Sequence, residues 1–399
     1  MKKLLVVGAG FLQDFVIRKA VSMGYETLTV DTDPYAVGFT HAHKHAVIDI
    51  VDEKACLEYA QGENIDGVIT AATDYGVLTA AFIAQEMGLP GLKYEVAQLI
   101  KNKYLVRKCL YEHHVDDTKQ VYEVDVNSSI EDIAKKLNYP VIVKPCDGSG
   151  SRGISRVDTY EELADACAYA MSNSISHRAE IEPFVIGQEY GAECLVVDGR
   201  IHVLGIMKKR MTKPPYFAEL GHAIPCGLSK GIEQKARECI RKAVSSLGIN
   251  FGSVNMDMLI TTGGEVHIID IGARMGGNMI GSFIIPYGTG IDYVGAMIQN
   301  AMGDSVDLSV HEHSAVATRL LAFDACVVNA IPDMKRTEIK YGVEIYHHLT
   351  KGMRINEYHT NLDGCGYIVA TGKTIEEAEN KAEAALIEIK KDIYQACLK

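Results

Sequence analysis

Residues 255–277 read NMDMLITTGGEVHIIDIGARMGG, and their pattern decides the fold. Apolar and polar positions alternate up to Thr262-Gly263-Gly264-Glu265 and again after it. That predicts two antiparallel strands joined by a tight turn in which glycine supplies the positive φ. If Gly263 and Gly264 are the turn, cross-strand partners have numbers with a constant sum, and Asp257 stands directly opposite Asp270. The two carboxylates then lie about 5 Å apart on one face. Met256, Met258, Ile260, Ile269 and Ile271 form the other face and supply a core side. Like charges placed opposite each other destabilise a sheet, so the pairing makes physical sense around a cation. Magnesium suits it, because that ion binds through one or two carboxylates together with substrate phosphates. A solvated hairpin whose aspartates merely face water would show the same alternation, and the rest of the chain bears on the choice.

The chain has 399 residues, enough for two or three domains. Its 47% hydrophobic and 23% charged residues are ordinary for a soluble globular protein. A net charge of -12 leaves no basic footprint for nucleic acid and disfavours anionic membranes. The start, MKKLLVVGAGF, is broken by glycines and reads as a strand rather than a signal peptide; no apolar run reaches the length of a membrane span. Ten scattered cysteines without a CxxC pair indicate free thiols in a reducing cytoplasm. His41, His43 and His45 alternate and could share a face, either as a metal site or as the polar edge before a strand at 46–50.

Short apolar runs at 4–7, 27–30, 46–50 and 67–70, each followed by helical spacing, predict a parallel α/β sheet. Gly8-Ala9-Gly10 follows the first run and Asp31 ends the second, nearly the dinucleotide fingerprint, but Gln13 takes the place of the third glycine. This supports a Rossmann-like fold better than it supports NAD. Thr70-Ala71-Ala72-Thr73-Asp74 lies at the carboxyl edge of the sheet, where ligands of open α/β sheets collect, and its Thr and Asp would equally serve as helix caps.

Residues 92–114 read as helical, with Asn102-Lys103-Tyr104 opening the second half. An α+β unit follows, with Lys144 at the base of a loop, Lys144-Pro-Cys-Asp-Gly148-Ser149-Gly150-Ser151-Arg152-Gly153. Glycine permits close approach and unusual φ, so the backbone N–H groups of such a loop can wrap phosphate oxygens. It is not a Walker A loop, since the lysine precedes the glycines. The strands 190–197 and 200–207 flank Asp198-Gly199, a strong hairpin signal. Lys208-Lys209-Arg210 ends that hairpin, and 211–229 reads as a long irregular loop holding Glu219 and His222. Helix 232–247 leads into the hairpin of the first paragraph, and strands 315–321 and 366–370 precede a closing helix at 374–393.

Together these pieces resemble the ATP-grasp superfamily, carboxylate–amine ligase type, over nearly the whole chain. The resemblance implies a Rossmann-like domain at 1–98, an ATP-grasp region at 99–305 with its lid at about 118–186, and a segment 306–399 completing a mixed-sheet C-terminal domain. It implies that Lys103, Lys144 and the loop residues Ser149, Gly150, Ser151 and Gly153 contact ATP phosphates. Glu182, Phe184 and Val185 match the adenine hinge and Glu189 the ribose glutamate. Asp257 and Asp270 match the metal ligands, for two magnesium ions that manganese can replace, and Arg274 matches the arginine that follows them. The family commonly has asparagine where this chain has Gly272, and by the register above Asn255 lies opposite and is expected to supply the missing amide oxygen.

The implied chemistry is attack of a carboxylate on the γ-phosphate of ATP and of an amine on the resulting acyl phosphate. Arg274 would hold a substrate carboxylate or developing oxyanion. One of Lys208, Lys209 and Arg210 would reach the γ-phosphate, with Lys208 expected to do so, and Glu219 and His222 would shape the amine pocket. Met275-Gly276-Gly277-Asn278 resembles the amino-acid ligases and places Gly276 and Gly277 at the substrate; the glutamine-valine-glutamate-histidine segment of biotin carboxylases is absent. The layout is also similar to carboxyaminoimidazole ribonucleotide synthetase, so a bicarbonate-activating enzyme is the alternative, followed by a non-catalytic ATP-binding regulator and, from the N-terminal glycines, an NAD-dependent dehydrogenase. Small-molecule partners, no nucleic acid or membrane, and a homodimer are expected.

Overall fold

The computed structural model describes residues 1–397 except 117, 149 and 215. Strands β1 (Lys3–Val7), β2 (Glu26–Asp31), β3 (Lys44–Val47) and β4 (Gly67–Thr70) form a parallel sheet in the order β3-β2-β1-β4. Its first turn does not offer a dinucleotide site. Gln13 is buried against Gly8 and donates from Nε2 to the Ala71 carbonyl at 2.6 Å, and Asp31 accepts the Ala9 N–H at 2.7 Å. The groups that would face a pyrophosphate and a ribose are thus used inside the fold. The strand expected at 46–50 begins earlier, and its histidines diverge: His43 accepts the Thr27 N–H, His41 meets Asp14 and His45 stacks on Phe39.

Strands β5 (Tyr122–Val124), β6 (Val141–Pro145), β7 (Ser155–Val157) and β8 (Ala179–Pro183) form an antiparallel lid sheet, order β5-β8-β6-β7. Helix Leu163–Ser172 covers it because Leu163, Ala166, Cys167 and Ala170 recur at helical spacing and bury against Val141, Val143 and Ile181. The run at 92–114 is two helices, Tyr94–Lys101 and Lys103–Glu112. Asn102 leaves helical φ/ψ and caps the second through the Leu105 N–H. The break sets Lys103 at a helix start, where its own N–H donates to the Cys146 carbonyl of the lid at 2.8 Å.

The third sheet has eight strands. These are β9 (Gln188–Val197), β10 (Arg200–Met211), β11 (Glu219–Ile224), β12 (Gly252–Ile260), β13 (Val266–Gly272) and β14 (Ala315–Leu320), joined by β16 (Val343–His347) and β18 (Gly366–Gly372) in the order β13-β12-β9-β10-β11-β14-β18-β16. A separate pair, β15 (Cys326–Val327) and β17 (Arg354–Ile355), lies outside it. Every pairing in the large sheet is antiparallel, not mixed as expected. The 211–229 segment is not one long loop, because β11 runs through it between β10 and β14. Its sequence, ELGHAI, hides the strand: polar Glu219 and His222 are buried along with Ala223 and Ile224, so no polar face is left to alternate.

One face of the large sheet packs on helix Lys230–Ser246, whose Ala236, Ile240, Ala243 and Val244 meet Ala192, Cys194, Met256 and Met258. On the other face Leu195 and Met207 join a core with Leu4, Val6 and the helix Tyr293–Ala301. Helix Ile375–Cys397 closes over β14 and β18. Among the described residues no helix is long and apolar enough to cross a membrane.

Candidate active site

A cleft of about 1500 Å³ opens where the three sheets meet. The lid supplies one end of it, where phosphate contacts are expected. From β6, Lys144 Nζ lies 2.5 Å from Glu182 Oε1 and 3.7 Å from Glu180 Oε2, and it donates to the Ile269 carbonyl at 3.1 Å. Glu182 also pairs with Arg107 at 2.8 Å. Burial pushes the Glu182 carboxyl up, but Arg107 and Lys144 outweigh burial and hold it below its usual range; Glu180, without such close partners, is raised by the same burial. In the loop after β6, Gly150, Ser151 and Gly153 have φ of +70°, +61° and +72°. A Cβ at Gly153 would meet Pro145 and Asn173 within 2.8 Å. Ser149 lies outside the described residues. Arg152 fastens the loop to the N-terminal domain by donating at 2.8 Å to the Oη of Tyr75, the residue that precedes helix Gly76–Met87.

The hinge follows β8. The Phe184 N–H donates to the Pro140 carbonyl at 3.1 Å, and the Arg156 guanidinium lies 4.6 Å from the Phe184 ring centre. Phe184, Val185 and Glu189 all line the cleft. Burial pushes the Glu189 carboxyl up to about 7, against the pull of Lys209 at 3.8 Å.

Asp257 and Asp270 are cross-strand partners, both on the cleft. Lys103 Nζ bonds Asp270 Oδ2 at 2.5 Å and Lys209 Nζ bonds Asp257 Oδ1 at 2.9 Å. Of the three basic residues ending β10, Lys209 is the one turned inward, only 2% exposed, and it also meets Glu219 at 2.5 Å. Lys208 is exposed and Arg210 pairs with Glu383 on the C-terminal helix. All three line the cleft, and the burial of Lys209 among its carboxylates makes it a stronger γ-phosphate candidate than Lys208. The apolar face of the hairpin also changes by one residue: Ile268, not Ile269, is buried with Met256, Met258 and Ile271, and Ile269 lines the cleft.

Arg274 is held bidentately by Asp74, with Nε to Oδ1 at 2.9 Å and Nη2 to Oδ2 at 3.2 Å, and its Nη1 donates to Asn255 Oδ1 at 3.1 Å. This corrects the expectation for Asn255. Its amide oxygen faces a guanidinium, a poor place for a divalent cation, and its Nδ2 donates to Glu193 Oε1 at 2.7 Å. In this structure the amide oxygen expected at a metal is spent on Arg274. Beyond Arg274, Gly277 faces Leu12 and Ala72, and Gly276 packs so close to Glu193 that a Cβ would lie 2.3 Å from Oε1.

Glu219 joins Lys209 to the far end of the cleft, accepting from Asn278, whose Oδ1 accepts from Tyr367 Oη at 3.0 Å. With burial opposing them, Lys209 and the other partners bring the Glu219 carboxyl down to about 2. His222 lines the cleft from β11, 1% exposed, and neither ring nitrogen has a hydrogen-bond partner among the described residues. Burial lowers it from 6.5 to about 4 despite Glu219, so the ring is neutral and offers one donor and one acceptor. The unfolded chain takes up that proton first as pH falls, so stability present above pH 6.5 drains away toward pH 4. His222→Gln is expected to remove this slope: from pH 7 to pH 5 the wild type should lose about 2 kcal/mol more than the variant in urea unfolding.

Sequence reading missed Arg107, Glu193, Asn278 and Tyr367 as members of this network. Glu193 had one available signal, the single charge in the apolar run 190–197.

A small antiparallel lid sheet, a glycine loop with a lysine at its base, and paired acids on a larger antiparallel sheet are the marks of a nucleotide-dependent enzyme. The chain carries an ATP-grasp domain, matched over residues 137–282, followed by L-amino acid ligase C-terminal domain 2 over residues 319–393. It stands among the ATP-dependent ligases that form carbon–nitrogen bonds. It is similar to a formate-dependent phosphoribosylglycinamide formyltransferase of Sulfurisphaera tokodaii, 25% identical with 96% of each chain covered. It is also similar to the L-arginine-specific L-amino acid ligase of Bacillus subtilis, 24% identical over 63% of this chain and 62% of that protein. Among solved structures, an L-amino acid ligase from Bacillus licheniformis superposes with a TM-score of 0.85 at 21% identity, covering 98% of both chains.

Proposed function

We propose that this protein joins two amino acids, or an amino acid and a related amine, by an ATP- and magnesium-dependent reaction through an acyl phosphate, releasing ADP and phosphate. The observation that carries the reading is the charge of the cleft beyond the phosphate end. Arg274 there is flanked by Asp74, and Glu219 lies close to Asn278, while Arg319 and Arg210 are already paired with Glu383. Glu219 is bonded to Lys209 in this structure, so a phosphate that draws Lys209 away would free its carboxylate for an ammonium group, and the paired arginines leave few cations for a second phosphorylated substrate. The C-terminal match to the amino acid ligases supports the same choice.

Lys103, Lys144 and Lys209 are the cations available to an incoming triphosphate, and each is now bonded to a carboxylate that such a ligand would displace. Asp257 and Asp270 fit magnesium: they are two adjacent carboxylates opening on the same cleft, the number this ion takes when phosphates supply other ligands. When bound, the ion neutralises charge on the transferring phosphoryl group. Glu182, Phe184 and Val185 would seat adenine and Glu189 the ribose. As the substrate carboxylate oxygen bonds to the γ-phosphorus, the bond to the β–γ bridging oxygen breaks and ADP departs. Amine attack on the acyl carbon then expels phosphate. Arg274 and neutral His222 are the donors placed to meet oxyanion charge in these steps.

The S. tokodaii similarity over the full length of both chains favours a second reading, a formate- or bicarbonate-activating enzyme acting on a ribonucleotide amine. Phosphate release from ATP and magnesium, measured across amino-acid pairs, formate with glycinamide ribonucleotide, and bicarbonate with aminoimidazole ribonucleotide, separates the two. Turnover confined to an amino-acid pair is expected; turnover with either ribonucleotide would transfer the protein to the second class. Tight ATP binding with silence across the panel would leave a regulator.

A further inference from the structure

Glu193 sits in the middle of β9, has no exposed surface, and lies behind the cleft wall. A carboxylate in that position must be satisfied internally. Its Oε1 accepts from Asn255 Nδ2 at 2.7 Å and from the Gly276 N–H at 2.9 Å, and its Oε2 accepts from Tyr293 Oη at 2.7 Å. Three separate elements therefore converge on one side chain: β12, the loop after Arg274, and the helix Tyr293–Ala301. The two bonds at Oε1 have a consequence at the cleft. An asparagine amide can present either its oxygen or its nitrogen to a neighbour, and only the oxygen attracts a guanidinium. With Nδ2 committed to Glu193, Oδ1 must point at Arg274, which it does at 3.1 Å. The Gly276 bond fixes the backbone two residues beyond Arg274, where no larger residue fits. Asp74 grips the guanidinium from the other side.

We infer that Glu193 is a positioning residue for Arg274, setting the guanidinium through Asn255 and the Gly276 backbone without touching substrate itself. Its effect on turnover rests on the role proposed above for Arg274; its effect on geometry does not.

Glu193→Gln and Glu193→Met separate this role from plain packing. The glutamine keeps an oxygen for Asn255 and Gly276 and turns its NH2 to the Tyr293 oxygen, whereas methionine has similar length and no comparable acceptor. Crystal structures of both variants and kinetics on the amino-acid pair found for the wild type are the readouts. Glu193→Gln is expected to leave Arg274 in place and kcat within about threefold, while Glu193→Met releases Arg274 from Asn255 and lowers kcat about 100-fold. KM for ATP should stay within about twofold in both, because the lid and hinge are untouched. Arg274 unmoved in the methionine variant overturns the inference, as does a loss shared equally by ATP binding and turnover or a glutamine variant as impaired as the methionine. Should Glu193→Met not fold, Asn255→Ala decides: kcat within about threefold of wild type overturns the proposal and a kcat-specific loss near 100-fold upholds it. If the wild type turns over no amino-acid pair, the proposed function fails while the crystallographic comparison still tests the positioning.

Discussion

Replacing Asp270 with alanine is expected to cut ADP formation by about 10²–10³-fold or more while leaving ATP bound at least as tightly as in the wild type. The split follows from what Asp270 does in each state. In this structure it holds Lys103 at 2.5 Å, so its removal frees a cation for the triphosphate and does not weaken ATP binding. Turnover needs it differently, as half of the Asp257–Asp270 pair proposed to hold magnesium during phosphoryl transfer. Asp270→Asn, which keeps the shape and removes the charge, should behave like the alanine variant. Titration with a fluorescent ATP analogue beside an ADP-release assay measures both quantities on one preparation. Activity above about a tenth of wild type in both variants would place the metal elsewhere.

The Asp257–Asp270 register shows how a sequence argument reaches a correct pairing by an incomplete route. A two-residue Gly263-Gly264 turn gives the observed partners at the site, but the hairpin is built otherwise. Thr261 and Glu265 close a three-residue loop, with Gly264 at φ +79°, and the ladder runs one step out of the expected register through Ile260–Val266 and Met258–Ile268. A bulge between Asp257 and Met258 then restores it. The two departures cancel at the aspartates and leave their trace between turn and bulge, where Val266 and Ile268 take the core face and His267 and Ile269 the cleft face. Elements with local signals were legible for the same reason that the turn was: Asp198-Gly199, the glycine loop and the helix Lys230–Ser246 each carry their cause in adjacent residues. Asn278 and Tyr367 gave no such signal and the lone charge of Glu193 named no partner, since what makes them part of the site is contact across 60 to 100 positions in the chain. Asn255 was placed correctly on the cleft face, yet its role turns on Glu193 behind it, which no periodicity reveals.

A second bulge has no compensating partner, and it decides which lysine enters the site. From the Asp198-Gly199 turn an unbroken β9–β10 ladder would set Lys208 opposite Glu189 on the cleft face. The register shifts between Val203 and Gly205, so Lys208 pairs with Tyr190 on the core side of β9, and Lys209 turns toward Glu189, Asp257 and Glu219. Lys209→Met is accordingly expected to abolish turnover and to cost about 3–5 kcal/mol of stability, because it leaves three carboxylates around a buried, uncompensated centre. Lys208→Met, a change at an exposed position, should alter stability by no more than about 0.5 kcal/mol and ADP formation by less than about twofold. The stability deficit of Lys209→Met should also depend on pH. In the wild type Glu219 is held down to about 2, so its contribution is present above the ordinary carboxylate value of 4.5 and is lost as pH falls. Without Lys209 the same burial pushes the carboxyls up, the folded state binds protons more readily than the unfolded one, and acid relieves the repulsion. The gap between wild type and variant should therefore be widest near pH 8 and narrow toward pH 5, as read by urea unfolding at each pH. A gap that stays constant across that range, with activity lost in Lys208→Met instead, would return the γ-phosphate role to Lys208.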